Sequence, residues 1–517
     1  MTSVLPSPTP VAERVYDELV DILGEANVLV DRPARYNRTR VPSPFPVHRW
    51  NDHVPDVVVL PESTEQVVEI VKLANRTKTP IVPRAAGTGL ADGAVPLRHG
   101  ILLDVKRMNR IWDLDTQNYT VNVGPGVNML KLNEFLQPHG LFYPDNPASY
   151  PCSMVGGRIG TSGWSLIGAR YGHTKDLVLS MEVVLPTGEV IEVGSGGGRK
   201  LRKASTALTL KELFFGHQGT LGITTNATLS LHPRPEAEFA AFFAYPDYDT
   251  AYRSCGALSK SGLASMAGVV LFDERKLDYL RRDDEAYIEQ PSDVVAVNAV
   301  ALYGTEDEVV PAARRILQIG YDTGGRYLGD EVSQGDWAAR HDRYAIPLHG
   351  RLREGAGGPA AGRAGQVVPM SWHCEDAAIN YTELPAVREK WHAIADRYIE
   401  RYGIFDDWGM FAYTNGSHSP YGDYLVEIDI GIWEQELNDE NWAAWTACKK
   451  EIAQVAIDHG GSITACHGAT RAGEVDLVPQ ELGGAFEVMK SIKRMLDPNN
   501  IMNPGKYLFD QAYEGAP

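Results

Sequence analysis

The 517-residue sequence predicts a two-part α/β or α+β protein that holds its ligand in glycine-rich loops. The first observation is an alternation of short buried strands and amphipathic helices, as in DVVVLP (56–61) followed by TEQVVEIVKLANRT (64–77). The second is the concentration of glycine in three segments between residues 83 and 223. The third is a change after residue 236 to longer helices and strands with fewer glycines. Because loops at strand ends carry the ligands in such folds, we expect the ligand site in the first part.

The composition argues against several classes of partner. The formal net charge is −18, whereas binding to nucleic acid or to an anionic membrane requires clustered Lys and Arg. No apolar run is long enough to span a bilayer, and the first residues lack the pattern of a signal peptide. Five separated cysteines without a CxxC motif predict neither a disulfide framework nor an iron–sulfur cluster. We therefore expect a cytoplasmic enzyme that acts on a small molecule.

The three glycine-rich segments are PRAAGTGL (83–90), SMVGGRIGTSG (153–163) and GHQGTLGI (216–223). Glycines let successive backbone N–H groups approach an anion and form a nest suited to a pyrophosphate. Each segment alone is more simply a tight turn, but the three together favour a nucleotide site. Neither the G-x-G-x-x-G fingerprint after the first strand nor the GK[ST] of a P-loop is present, so a different nucleotide-binding fold is predicted.

The order of these segments, together with GLFYPDNPAS (140–149) and LDPNNIMNPGKYL (496–508), resembles that of FAD-linked oxidases of the vanillyl-alcohol oxidase superfamily. Within that superfamily the sequence is most similar to the D-lactate dehydrogenase and glycolate oxidase flavoprotein branch. The resemblance implies an α+β fold with a PCMH-type FAD-binding domain of two subdomains. It also implies an α+β cap, or substrate, domain with an antiparallel sheet.

The resemblance divides the chain into four parts. Residues 1–48 are expected to form an N-terminal helix and arm, and residues 49–235 the FAD-binding domain. Residues 236–458 are expected to form the cap domain, and residues 459–517 to return to the FAD domain. Within the cap, the glycine-rich stretch 353–366 predicts a mobile loop.

The resemblance implies FAD as the cofactor, bound non-covalently, because the first glycine loop lacks the histidine that would link it. A covalent link from the cap through His418 or Tyr424 is left open. The residues that the resemblance assigns to FAD binding are Pro83, Arg84, Ala85, Ala86, Gly87, Thr88, Gly89, Pro144, Asp145, Ser149, Gly156, Gly157, Thr161, Ser162, Gly172, Gly222, Ile223 and Asn503.

Two residues are candidates for the chemistry. His467 lies in GGSITACHGATR where the related branch has a catalytic histidine, and a histidine base suits hydroxyl oxidation because its ordinary pKa is near neutrality. Arg340 lies in DWAARHDRY where the branch places an arginine to hold a substrate carboxylate. A packed histidine and a surface arginine are the alternatives. Weaker substrate-binding candidates are His341, Tyr150, Trp164, His418 and Tyr424, and Trp372, Tyr413 and Tyr421 are further aromatic residues expected near the pocket.

The resemblance breaks at the metal site that the related branch carries near its flavin. Of the three expected ligands only the first matches, as His418, while Leu425 and Cys466 stand at the other two positions. We therefore predict no metal, although His418 and Cys466 are both acceptable zinc ligands and leave a residual site open.

The function predicted from these residues is FAD-dependent oxidation of a hydroxyl-bearing small molecule by hydride transfer, with a 2-hydroxy acid preferred. One alternative is an aryl alcohol or para-substituted phenol oxidase of the vanillyl-alcohol oxidase type. A second is a flavin-dependent transferase resembling alkyl-dihydroxyacetonephosphate synthase. The electron acceptor (oxygen, a quinone, a cytochrome or a flavoprotein) and a homodimeric state are left open.

Overall fold

The computed structural model describes residues 10–41, 43, 45–281, 293–343, 371–433 and 436–513. The loop predicted over 353–366 lies outside these residues. Within them the chain forms three large sheets, one two-stranded ribbon and the helices that pack around them. No helix in the described ranges has both the length and the apolar character needed to cross a membrane.

The first sheet has four strands in the order β1-β2-β4-β3, with β1 antiparallel to β2 and the other pairs parallel. The third helix packs its apolar stripe beneath this sheet; it begins after Ser63, whose hydroxyl accepts the Gln66 N–H, and it ends at Lys78 in the left-handed conformation. The elements are α1 (Pro10–Leu23), β1 (Val28–Leu29), α2 (Arg32–Tyr36), β2 (Val57–Val59), α3 (Thr64–Thr77), β3 (Ile81–Arg84) and β4 (Ile101–Asp104).

The second sheet has five antiparallel strands in the order β5-β6-β10-β8-β9, and β7 pairs separately with β11. Four short helices lie between its strands. One of them carries most of the second glycine-rich segment, and the next follows that segment. The elements are β5 (Ile111–Asp115), β6 (Thr120–Val123), α4 (Met129–Leu136), β7 (Leu141–Phe142), α5 (Val155–Thr161), α6 (Gly168–Tyr171), α7 (Thr174–Leu177), β8 (Val178–Val184), β9 (Val190–Gly194), β10 (Ile223–Ser230) and β11 (His232–Pro233).

The third sheet has seven antiparallel strands in the order β15-β12-β14-β13-β17-β18-β16, and its central strands are almost entirely buried. Its elements are β12 (Ala237–Tyr245), α8 (Tyr248–Ser259), β13 (Met266–Phe272), α9 (Glu274–Arg281), β14 (Ala296–Gly304), α10 (Glu306–Asp322), β15 (Arg326–Tyr327), α11 (Asp330–Ala338), α12 (Arg340–Arg343), β16 (Ser371–Asn380), α13 (Leu384–Tyr402), β17 (Phe405–Thr414), β18 (Asp423–Ile432) and α14 (Asp439–Asp458).

The C-terminal segment leaves the third sheet and returns to the first. After α15 (Val478–Leu482) and α16 (Gly484–Leu496), the chain runs beside β3. The Ile81 N–H donates to the Ile501 carbonyl at 2.7 Å, and the Asn503 N–H donates to the Ile81 carbonyl at 2.8 Å. These bonds extend the first sheet with residues that are distant from it in sequence.

A buried charge cluster joins α13 to the third sheet. His392 is 5% exposed and lies between two carboxylates, with Nε2 at 2.6 Å from Asp273 and Nδ1 at 2.7 Å from Asp407. Burial lowers the pKa of His392, but hydrogen bonds and charge from both carboxylates outweigh it and raise the pKa to about 9. The imidazolium form therefore stabilises the packing of this helix.

We predict that the stability contributed by His392 is fully present below its ordinary pKa of 6.5 and is lost as the pH rises through about 9. The variant His392→Gln should be less stable than the wild type at pH 6 by about 3 kcal/mol, since the charged partner of two buried carboxylates is removed. The gap should close above pH 9. Thermal and urea unfolding across this pH range measures it, with His48→Gln, an exposed histidine beside Asp439, as the matched control. A gap that stays constant with pH would contradict the assignment.

Candidate active site

The three glycine-rich segments meet around one cavity. It is lined by residues 83–91 and 93–94, at the end of β3 and in the loop that follows. Residues of α5 and of the loop before it also line the cavity, as do residues 217–219 and 222–224, in the loop before β10 and at its start. Thirteen of the predicted FAD-binding residues are among its lining residues: Pro83, Arg84, Ala85, Ala86, Gly87, Thr88, Gly89, Ser149, Gly156, Gly157, Thr161, Gly222 and Ile223.

The wall of this cavity fits a dinucleotide. A methyl group added at Gly160 would meet no other atom within 4 Å, and one at Gly89 or Gly157 would make only ordinary contacts, so these glycines keep open the space in front of their backbone. Ser153 Oγ and Trp164 Nε1 line the same cavity and are buried without a hydrogen-bond partner among the described residues. Glycine backbones and unpaired donors together suit the pyrophosphate and ring edges of FAD.

Two arginines line the cavity, and each is held by groups of the protein. Arg84 donates to the carbonyls of Arg40 and Ala94, and burial lowers its pKa to about 10. Arg158 binds the buried Asp145 carboxylate through two nitrogens, at 3.1 and 2.5 Å. Asp145, which the resemblance assigns to the cofactor, thus supports a cavity residue rather than lining the cavity.

Four other residues assigned to the cofactor also lie outside the cavity lining. Ser162 ends α5 in the left-handed conformation, and Gly172 ends α6. Pro144 lies in the wall of a separate surface cavity. Asn503 joins two of the glycine loops, because its side-chain amide donates to the carbonyls of Gly93 at 2.7 Å and Gln218 at 2.6 Å.

The third sheet closes the other end of the cavity. Alternate residues of β13 and β17 face it, since successive side chains of a strand point to opposite sides. This wall, which also includes Trp164, is mostly aromatic, and the Tyr413 hydroxyl donates to the Leu166 carbonyl at 3.0 Å. The sheet residues in the lining are Val270, Phe272, Phe411, Tyr413 and Glu427.

His467 lines the same end of the cavity and is oriented by Asp376 of β16. Its Nδ1–H donates to Asp376 Oδ1 at 2.7 Å, and the buried carboxylate also accepts the Thr464 hydroxyl at 2.9 Å, with the Arg471 guanidinium 4.0 Å away. The second carboxylate oxygen accepts the backbone N–H groups of Ala465 and Cys466 at 2.6 and 2.8 Å. One carboxylate therefore fixes both the loop and the imidazole, and it leaves Nε2 to exchange a proton with a ligand.

The charges at this end shift the proton affinities of three groups. Burial lowers the pKa of His467, but Asp376 and then Glu427 outweigh it, so the net pKa lies above 6.5. Burial raises the pKa of Asp376, but the charge of His467 and its hydrogen bond lower it by more. The pKa of this carboxyl therefore lies well below its usual range. Burial raises the pKa of Glu427 to about 8, against the effect of the His467 charge. Since the groups interact, they titrate as a cluster.

Arg340, His341 and Tyr150 lie together outside this cavity. Arg340 donates to the Trp337 carbonyl at 2.7 Å and lies over the Trp337 ring, and Tyr150 stacks on His341 with ring centroids 5.0 Å apart. The structure does not bring Arg340 or His341 to His467. Of the weaker substrate candidates, Trp164 is a lining residue.

The remaining candidates from the cap also lie away from the cavity lining. His418 is exposed, with Nδ1 3.1 Å from the Arg170 carbonyl oxygen. Tyr424 is buried, and its hydroxyl contacts Ser259 Oγ at 2.5 Å. Tyr421 is 56% exposed, and the side chain of Trp372 lies outside those described.

Three groups of potential ligand atoms lie within 4.8 Å of one another in the described part of the chain. They are Cys374, Glu427 and His467; Asp376, Cys466 and His467; and His373, Glu375 and Glu474. Cys466 belongs to the second group and His418 to none of the three.

Asp376 and Glu427 are residues of this candidate site that were not predicted from the sequence. A signal was present in DYLVEIDIGI, where acidic residues interrupt an apolar strand, and in SWHCEDAAIN, where two adjacent acidic residues precede the apolar AAI. Buried carboxylates in a strand require partners, and such a pattern indicates a site.

Two sequence families match the chain. The FAD binding domain family matches residues 55–194, and the C-terminal domain family of FAD linked oxidases matches residues 234–507. The matches confirm the predicted α+β, PCMH-type fold class and FAD as the cofactor.

Relatives of similar length are known. The chain is 30% identical over 459 residues to the glycolate oxidase subunit GlcD of Bacillus subtilis, covering 89% of this chain and 90% of that protein. It is 28% identical over 510 residues to a probable mitochondrial D-lactate dehydrogenase of Danio rerio, covering 97% and 93%. The structure of p-cresol methylhydroxylase with substrate bound superposes with a TM-score of 0.75 at 21% identity, covering 97% and 98%, which shows the fold alone.

We predict that Gly160→Val weakens FAD binding by at least about tenfold without unfolding the chain, because Gly160 lines the cavity and a Cβ added there has no atom from outside its own helix turn within 4 Å. Fluorescence titration of the apoprotein with FAD measures the dissociation constant. Gly484→Val, which adds the same side chain to an exposed helix with equally open space, is the matched control. Equal FAD affinity in both variants would contradict the placement of the cofactor.

Proposed function

The chain belongs to the family of FAD-linked oxidases, and we propose that it oxidises a 2-hydroxy acid to the corresponding 2-keto acid with His467 as the base. The enzyme is an FAD-dependent oxidase or dehydrogenase that acts on CH–OH groups. The observation that carries the finer proposal is the bond between His467 and the buried Asp376 in the wall of the cavity that the glycine loops form. The relatives named glycolate oxidase subunit and D-lactate dehydrogenase support the substrate class.

The residues at this end can perform the proton transfer. FAD supplies the acceptor for the hydride that leaves the substrate carbon. His467 Nε2 takes the hydroxyl proton, since Nδ1 is already occupied by Asp376, and the carbonyl double bond forms as both hydrogens leave. The Asp376 carboxylate then stabilises the imidazolium and keeps the ring in position.

The aromatic wall favours a substrate with an apolar substituent. Phe272, Phe411 and Tyr413 present ring surface to the cavity, and the Tyr413 hydroxyl is already paired. Among the described lining residues, the guanidinium groups of Arg84 and Arg158 are both held by protein oxygens. An aryl alcohol is therefore the second candidate substrate, because it requires no cation beside His467.

We expect a 2-hydroxy acid to bleach the flavin absorbance near 450 nm under anaerobic conditions, and His467→Gln to slow that bleaching by about 10²- to 10⁴-fold with FAD content unchanged. The amide keeps the approximate size of the imidazole but cannot accept the proton. Stopped-flow absorbance with panels of aliphatic 2-hydroxy acids, aryl 2-hydroxy acids, aryl alcohols and para-alkylphenols measures the rates.

His139→Gln, on an exposed helical turn outside the cavity lining, is the control and should reduce at the wild-type rate. Bleaching only by phenols would exclude the 2-hydroxy acid, and bleaching only by aryl alcohols would establish the second candidate. A normal rate in His467→Gln would remove the assigned base.

We predict that the rate of flavin reduction rises with pH through a value above 6.5, because only the neutral imidazole accepts a proton and Asp376 raises the pKa of His467. Asp376→Asn should move this rise in rate to lower pH, since the carboxylate that favours the imidazolium is removed. Glu427→Gln should move it in the same direction by less, because Glu427 is the weaker of the two contributions. The pH profile of the anaerobic reduction rate is measured for the wild type and both variants. A profile for Asp376→Asn with the same midpoint as the wild type would refute the assignment.

A further inference from the structure

A second cavity of about 290 Å³ lies on the far side of the third glycine loop. It is lined by residues 212–213, 215–217 and 220–221, by the loop around Gly468, by α15 and α16, and by the tail near Phe509. Most of its lining is apolar, with Leu221, Leu482, Met489 and Ile492 among the contributing side chains. No step of the proposed reaction uses it.

His217 lines both this cavity and the cofactor cavity. The two cavities are also adjacent at the proposed base, because His467 lines the first and the next residue, Gly468, lines the second. One layer of side chains and backbone thus separates the second cavity from the end of the cofactor cavity where the substrate is oxidised.

The hydrogen bonds of His217 define where its proton lies. The Leu221 backbone N–H donates to Nδ1 at 3.3 Å, so the ring hydrogen is on Nε2. Burial and, to a lesser extent, the charge of Lys493 lower the pKa of His217 to about 4, which keeps the ring neutral. His217 is 8% exposed, and among the described residues no protein atom accepts the Nε2 hydrogen. This nitrogen is therefore left to donate to a ligand.

The charges of the lining select a neutral ligand. The lining contains the carboxylates of Glu212 and Glu481 and, among the described residues, no Lys or Arg. Glu481 is already satisfied by the Ser462 hydroxyl at 2.7 Å and the Ile463 N–H at 2.9 Å. An anion would be repelled here, whereas an apolar ring that carries an acceptor oxygen would match both the walls and the His217 donor. The cavity is also far larger than dioxygen requires, since one water molecule needs about 10–15 Å³ of such cavity volume.

We propose that this cavity binds a quinone, whose carbonyl oxygen accepts a hydrogen bond from His217 Nε2, and that the quinone receives the electrons removed from the substrate. The inference rests on the proposed function, which supplies those electrons. The substrate C–H and O–H bonds break, and the carbonyl forms. The two electrons and two protons that are lost convert the quinone into a quinol with two new O–H bonds, so that the hydroxy acid is oxidised and the quinone reduced.

Binding to the oxidised holoenzyme tests the site without turnover. The probe is 2,3-dimethoxy-5-methyl-6-decyl-1,4-benzoquinone, and equilibrium dialysis measures its dissociation constant. Met489→Trp, on the lining face of α16, should weaken binding at least about tenfold by filling the cavity. Met495→Trp, on the same helix and 70% exposed outside the lining, should bind as the wild type does. Equal binding in the two variants would overturn the proposal.

His217→Phe keeps a ring in the wall and removes the donor, so it should weaken quinone binding as well. Because His217 also lines the cofactor cavity, FAD content is measured first, and the result for Met489→Trp stands independently of it. Unweakened binding in an FAD-loaded His217→Phe would exclude the hydrogen bond.

Separate half-reactions distinguish failure of this site from failure of the proposed function. The holoenzyme is reduced anaerobically with a 2-hydroxy acid and then mixed with the same quinone. Met489→Trp should bleach at the wild-type rate and reoxidise with the quinone at least about tenfold more slowly, while reoxidation by ferricyanide is unchanged. Wild-type reoxidation by the quinone in this variant would overturn the inference. Failure of every hydroxy acid to bleach the flavin would instead refute the proposed function, and the dialysis result would still decide whether the cavity binds a quinone.

Discussion

The candidate active site depends on the carboxylate of Asp376. This side chain is fully buried in β16, a strand of the third sheet, yet the groups it holds belong to the C-terminal segment that returns to the first part of the chain. Because a buried carboxylate without donors is costly by several kcal/mol, the loop before His467 has one strongly favoured arrangement on the sheet. The same carboxylate fixes the imidazole. The same carboxylate therefore both positions the proposed base and holds the C-terminal segment against the third sheet.

A second constraint acts on the cofactor end. Asn503 donates to carbonyls in two glycine loops, and Lys493 donates to the carbonyls of Thr220 and Met502 at 2.9 and 2.8 Å. Glycine loops lose much conformational entropy when they are ordered, so they need partners that hold their backbone. The tail supplies these partners. The tail thus holds the cofactor end of the cavity, and Asp376 holds the other end, although the residues concerned are distant in sequence.

The parts of the site that could be predicted from the sequence are those with a local signature. Glycine-rich segments indicate where the backbone approaches a ligand, and most of the residues assigned to these segments line the cavity. Asp376 could not be assigned in that way, since its role arises from strand pairing and from a loop about ninety residues away. Arg340 shows the converse: its local motif matched a carboxylate anchor, but α12 directs it to the Trp337 carbonyl. Local patterns specify backbone requirements well and long-range partnerships poorly.

The charge at the substrate end separates the two candidate substrates. With His467 neutral, the ionised Asp376 gives this cluster a negative charge, and the raised pKa of Glu427 shows how strongly burial disfavours another one. A 2-hydroxy carboxylate entering the cavity adds a negative charge, so its binding favours the imidazolium, whereas proton abstraction requires the neutral ring. By linkage, affinity for the acid then rises as the pH falls, while the rate of the proton transfer falls. A neutral aryl alcohol is subject only to the second effect. Opposite pH dependences of binding and rate are therefore intrinsic to an anionic substrate in this cavity and absent for a neutral one.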